Sequence, residues 1–207
     1  MSRFNLVPVL SQPNLKAWPK HPEGGHVPYL ELREALSRNF ATDAHFACYS
    51  SPGVERRLDY GSFESPHIEQ LGGCIPMVAA VFDVDAQESH KALGGQGDVP
   101  ASDAWWLDEL PKLEALQLDH PSPFIYRTRG GYRIVFRLDA PFELRNAQEA
   151  RERWTPMYLT WIAYLRRQYS IVADPGCKDF GRIFRLPHAT RTEGGRPEQR
   201  ETIGDLT

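Results

Sequence analysis

In 207 residues the chain carries 41% apolar residues and five tryptophans, enough to bury one sizeable core, or one core with a small appended subdomain, so disorder does not dominate it. Aspartate and glutamate (27) slightly outnumber lysine and arginine (24). That balance excludes a protein that grips nucleic acid by bulk positive charge and leaves only a local basic patch for such contacts. Cys48, Cys74 and Cys177 are odd in number, far apart and never in a C-x-x-C pair, which argues against a disulfide framework and against a self-sufficient zinc knuckle. The compartment is therefore read as reducing and cytoplasmic, and no stretch approaches the roughly 20 apolar residues of a membrane span.

In chain order, residues 1–28 hold Pro8, Pro13, Pro19, Pro22, Pro28 and Gly24-Gly25, a density that opposes regular elements and predicts an irregular lead-in. Leu30, Leu32, Ala35, Leu36 and Phe40 recur at helical spacing, predicting a short amphipathic helix over 29–40. His45 to Ser50 reads as a strand, and 51–73, with Pro52, Gly53, Gly61 and Pro66, as a loop or ragged hairpin. Met77 to Asp85, MVAAVFDVD, is an apolar run ending in acids, the pattern of a strand buried on both faces whose end emerges at a site.

A glycine-rich loop at 94–100 precedes a helix capped by Ser102 or Asp103 and running toward Leu118, which Pro111 is expected to kink or split. Phe124 to Thr128 and Tyr132 to Leu138 flank Arg129-Gly130-Gly131 as a hairpin. Asn146 to about Tyr169 is the strongest helix pattern, with Trp154, Met157, Tyr158, Trp161, Ile162 and Leu165 on one face and Pro156 as a kink or the true start. A turn at Asp174-Pro175-Gly176 then leads to a short strand around Arg182 to Leu186. Strands mixed with helices in this order predict an α+β sheet domain with helices packed on it.

Three segments carry the residues for chemistry. Asp83 and Asp85, two apart in a strand, project from one face and repel each other unless a cation lies between them. Mg²⁺ or Mn²⁺ suits such a pair, and in two-metal nucleotidyl transfer such ions activate a hydroxyl and neutralise a leaving pyrophosphate. The plainer alternative is a strand end followed by a solvated acidic turn. In TRGGYRIVF, Thr128 to Phe136, two glycines let a backbone approach a phosphate while Arg129 and Arg133 supply charge, or they form an ordinary tight hairpin. In DPGCKDFGRIFRLP, Asp174 or its rival Asp179 can complete a carboxylate triad, and Arg182 with Arg185 can grip a triphosphate or a template backbone; surface ion pairs would give the same composition.

Taken together and in this order, VFDVD, TRGGYRIVF and DPGCKDFGRIFRLPHATR resemble the archaeo-eukaryotic primase superfamily, in particular the bacterial, plasmid and phage primase-polymerase domains. That family shows an apolar strand ending D-x-D or D-x-E, a glycine-rich hairpin carrying a histidine, and an aspartate ahead of an R-x-x-R-L-P-like segment. The resemblance spans roughly Met77 to Arg191. It implies metal-binding and catalytic roles for Asp83, Asp85 and Asp174, with Asp179 as rival for the third place. It also implies nucleotide contacts from Thr128, Arg129, Gly130, Gly131, Arg133, Arg182 and Arg185, and weaker nucleic-acid contacts from Lys178 and Arg191.

Two departures stand out: Arg133 occupies the place of the family's histidine, keeping charge and donors but not titrating near neutral pH, and the ending is Leu186-Pro187-His188. The implied fold is an RRM-like catalytic sheet over 76–207 beside a smaller α/β unit over 1–75. Together these make one primase-polymerase domain, expected to be excised from a longer chain with a helicase or helical primer-handling domain. The implied partners are single-stranded DNA template and NTP or dNTP substrates.

Rival readings are a two-metal nuclease and a catalytically degenerate nucleic-acid-binding module of the same fold. A D-x-D glycosyltransferase gains nothing from R-x-x-R-L-P. A zinc site from His45, His67, Cys74 and Cys177 has no supporting spacing, and Trp105-Trp106 read as one core residue and one partly exposed packing residue rather than a base-stacking pair.

Overall fold

The computed structural model describes residues 6–11, 29–40, 44–54, 57–86, 101–121, 123–189 and 202–203. The predicted loop at 94–100 and Arg191 lie outside them. The described chain is α+β, built on two four-stranded sheets. One sheet has the order β2 (Tyr29–Glu31), β1 (Leu6–Ser11), β3 (Ala44–Ala47), β7 (Ile183–Arg185); the other has β4 (Ile75–Asp85), β6 (Gly131–Leu144), β5 (Phe124–Arg127), β8 (Thr202–Ile203). No helix among the described residues is long and apolar enough to cross a membrane.

The second sheet grows from β4, whose residues are buried without a break from Ile75 to Phe82, as an apolar run covered on both faces must be. Helix α3 (Asp103–Asp119) connects β4 to β5, and β6 lies between these two strands, antiparallel to both. The resulting β-α-β-β-α path is the split arrangement of RRM-like sheets. Ser102 caps α3 by accepting from the Trp105 amide at 3.1 Å, as its sequence predicted. Pro111 does not split that helix, which runs unbroken through it. It and Leu107, the residue whose carbonyl it leaves without a helical donor, both lie on the solvent side, Leu107 being 63% exposed, where water can take the bond.

The helix predicted from Asn146 forms in three parts. Asn146 caps α4 (Ala147–Glu149), a π turn follows over Ala150–Trp154, and α5 (Thr155–Tyr169) continues directly from it with Pro156 as its second residue. Phe82 stacks on Tyr158 at 4.7 Å, Trp106 meets Tyr132 edge-on, and the Tyr132 hydroxyl donates to the buried Glu109 at 2.8 Å, so α3 and α5 cover one face of the sheet. Lys112 supplies Glu109 with a counter-charge. Of the tryptophan pair, Trp106 is core and Trp105 is half-buried.

In the first sheet, α1 spans only Leu32–Ser37, because Tyr29–Glu31 pairs with β1 instead of joining the helix. α2 (His67–Gln70) and a 3₁₀ turn at Tyr60–Glu64 occupy the segment expected to be a loop. β1 falls inside the predicted irregular lead-in. Its Pro8 is tolerated because residues 6–8 pair only with β2 and residues 9–11 only with β3, so Pro8 needs no donor toward a second strand. β6 runs on to Leu144, past the predicted end, by pairing with the start of β4 beyond an irregularity between Met77 and Ala79.

The hairpin is fixed at Gly131, where a Cβ would stand 1.9 Å from the Val84 carbonyl oxygen. Gly131→Ala is expected to destabilise the fold by about 3 kcal/mol, since backbone rather than a movable side chain opposes the methyl. The change is read as a shifted denaturant midpoint at unchanged slope.

Candidate active site

Alternation along β4 and β6 sends Phe82, Ile134 and Phe136 toward the helices and Asp83, Asp85 and Arg133 to the opposite face. That face meets β7 of the first sheet, where Arg133 and Tyr126 donate to the Arg185 carbonyl. Asp83 is directly opposite Arg133 in the antiparallel register, and Asp85 is opposite Gly131. Asp83 and Asp85 are each half-buried, with Val84 buried between them.

The hairpin turn is tied on every side. Thr128 donates its amide to the Gly131 carbonyl at 2.8 Å, the Gly130 carbonyl accepts from Ala86 at 2.9 Å, and the Arg129 carbonyl accepts from Ala101 at 2.8 Å. The turn is thereby held against both the end of β4 and the start of α3. Thr128 is buried and Arg129 exposed.

The third segment arrives after Ser170, whose left-handed φ of 58° closes α5 and turns the chain back along β4. The Asp174 amide donates to the Asp83 carbonyl at 2.7 Å. Two acids ninety-one residues apart in sequence thus sit side by side at the backbone level. The Asp174 carboxylate caps the 3₁₀ turn at Pro175–Lys178 by accepting from the Gly176 amide at 2.8 Å, and the Cys177 thiol lies 3.8 Å from its other oxygen. The rival Asp179 accepts from the Gly181 amide at 3.0 Å, and its charge adds to the burial that raises the Tyr60 hydroxyl above its ordinary range.

Arg133 is the hub of the site. Its Nε donates to Asp83 Oδ1 at 2.8 Å, its Nη1 donates to the Arg185 carbonyl at 3.0 Å, and its guanidinium lies over the rings of Tyr126 and Phe184 at 5.9 and 5.8 Å. Tyr126 donates its hydroxyl to the same Arg185 carbonyl at 2.8 Å. The Arg133 and Asp83 side chains are only 15% and 14% exposed, so this ion pair sits in a partly desolvated place where each charge depends on the other. Arg185 is half-buried on β7; Arg182 and Lys178 are exposed, and Arg182 is close enough to oppose part of the upward shift at Cys177.

Among the described residues, no three His, Cys, Asp or Glu side chains converge so that they could hold a metal ion. The side chains explain why: Asp83 presents an oxygen to Arg133, and Asp174 spends one on its own turn. As placed, Asp83, Asp85 and Asp174 do not form a ligand set for Mg²⁺ or Mn²⁺. The same holds for the zinc combination of His45, His67, Cys74 and Cys177. Sequence reasoning missed Tyr126 and Cys177 as parts of this site. Tyr126 was within reach, since closing the hairpin at Gly130-Gly131 sets Tyr126 opposite Arg133.

Burial, and next the Asp83 charge, push the Cys177 thiol up to about 12, and burial raises Cys48 well above the ordinary thiol range. Both protonated thiols favour the folded state below the ordinary thiol pKa, and that contribution is lost as pH climbs through the raised values. With iodoacetamide at pH 8, the half-buried Cys74 is expected to react first and Cys48 and Cys177 only after denaturation, as read by peptide mass mapping.

No family model matches the chain, and no curated protein matches it in sequence. Among solved structures, the AEP domain (PP-N190) of the cyanophage S-2L primase-polymerase resembles it with a TM-score of 0.41 and 14% identity, over 98% of this chain and 84% of that one.

Proposed function

We propose that this chain catalyses template-dependent nucleotidyl transfer, synthesising primers or extending them from NTP or dNTP on single-stranded DNA. The observation that carries the reading is the junction of three segments distant in sequence: Asp174 bonds to the strand at Asp83, Arg133 pairs with Asp83, and Arg133 reaches Arg185. These are the three segments whose order resembles primase-polymerases. Asp83, Asp85 and Asp174 supply the negative charge of the reaction centre, while Arg182 and Arg185, with Arg129 at the exposed hairpin tip, supply cations for a polyphosphate. Lys178 extends that basic rim toward a nucleic-acid strand. The cofactor of this reading is Mg²⁺ or Mn²⁺, and the setting is a cytoplasmic catalytic domain within a longer replication protein.

A second reading, a degenerate nucleic-acid-binding module, is favoured by one observation, the Arg133–Asp83 pair, in which an arginine of the chain itself is the partner of that carboxylate. Primer synthesis and extension on single-stranded DNA with labelled nucleotides and Mn²⁺ separate the two. The enzyme reading expects elongated products from the wild type and a loss of at least about a hundredfold in Asp83→Ala/Asp85→Ala, as when groups that stabilise a transferring phosphoryl are removed. Products equally abundant in the double variant would refute the assigned site. Retained strand binding with no products from either protein would favour the module, and shortened strands would point to a nuclease.

A further inference from the structure

We infer that the chain pairs with a second copy of itself through the outer surface of its helical layer, α3 of each copy resting on α5 of the other. This surface lies on the side of the second sheet away from Asp83 and Arg133.

A helix that covers a core turns polar residues outward, yet α3 keeps a second apolar stripe there. Ala104, Leu107, Pro111, Ala115 and Leu118 recur at steps of three or four and are all exposed, Leu118 at 85%. At the helical period, Asp108 and Asp119 flank this stripe on one side and Asp103 and Glu114 on the other. Within α3 five acids stand against one lysine, Lys112, which already faces Glu109. Asp108 and Glu114 carry no ion pair among the described residues. A surface that covers this stripe must be apolar along its middle and basic at its margin.

α5 meets that description. From Thr155 to Tyr169 it has two arginines, Arg166 and Arg167, and no acid, and neither arginine has an ion pair among the described residues. Leu159 and Ala163 are exposed on it, and Thr160, Trp161, Ala163, Tyr164 and Arg167 line an open, mostly apolar hollow of roughly 370 Å³, a place for a leucine of the opposing stripe. Within one molecule the two outer surfaces cannot meet. α3 and α5 lie side by side on the sheet, joined at one end where Tyr169 donates to Asp119 at 2.8 Å and His120 bonds Tyr164 at 3.0 Å. A second copy turned over by a two-fold axis brings the acidic stripe of each chain onto the basic face of the other, so the same contact forms twice.

The test is the mass of the full chain by sedimentation equilibrium over a dilution series, with circular dichroism as the check on folding. The wild type is expected to approach twice 23.6 kDa, and to dissociate more readily as salt rises. Asp108→Lys/Glu114→Lys makes both helices basic, and Arg166→Glu/Arg167→Glu makes both acidic. Each variant alone should dimerise at least about tenfold more weakly, since like charges then face each other in both contacts. Mixed in equal amounts, the two variants should pair with each other, because both contacts regain opposite charges. Should either reversal unfold the chain, Leu107→Ser/Leu118→Ser takes its place and is expected to be monomeric.

A wild type that stays monomeric at every concentration overturns the inference, and binding of a basic amphipathic peptide by that monomer would assign the stripe to another protein. A dimer indifferent to salt and to all these substitutions overturns it as well, as do folded reversal variants that fail to pair when mixed.

Discussion

Asp83 is engaged at two levels at once. Its carboxylate faces Arg133 across the antiparallel ladder, and its carbonyl receives the Asp174 amide from the segment that follows α5. Neither contact is local in sequence, and each needs the other elements in register. A one-residue slip of β6 would turn Arg133 to the helix side and leave a half-buried carboxylate with no partner, a far larger cost than a lost surface ion pair. The pairing also requires a residue without a Cβ at Gly131, since a Cβ there would run into the Val84 carbonyl.

The two faces of the second sheet answer different demands. On the helix side, Phe82, Phe136, Tyr158 and Trp161 pack ring against ring, and the Tyr158 hydroxyl donates to the Val81 carbonyl at 2.6 Å, which ties α5 to β4. On the opposite face polar groups meet one another: Asp83 with Arg133, and Arg133 and Tyr126 with one carbonyl of β7. Rigid packing behind a polar face is what keeps such charges at bonding distance without a loop having to order itself first.

The parts legible in the sequence were those governed by a strong local period or a strong local turn. The run from Met77 to Asp85 announced a buried strand with two acids on one face, and Gly130-Gly131 announced the hairpin. What escaped depended on partners far away. Pro8 hid β1, since whether a proline is tolerated in a strand is decided by which neighbours that strand has. Tyr29 to Glu31 looked helical by spacing but was recruited by Val7 and its neighbours. The orientation of Arg133 was not legible either, because it is set by the Arg185 carbonyl on a strand of the other sheet.

β7 holds only Ile183 to Arg185, yet it is hydrogen-bonded to β3 of the first sheet while its carbonyl at Arg185 secures side chains of the second. Three residues therefore act as a clasp between halves that the chain order alone would let one separate near residue 75. A fragment starting at β4 would carry the acids and the hairpin but would strip β7 of its ladder, so the contacts around Arg133 belong to neither half alone.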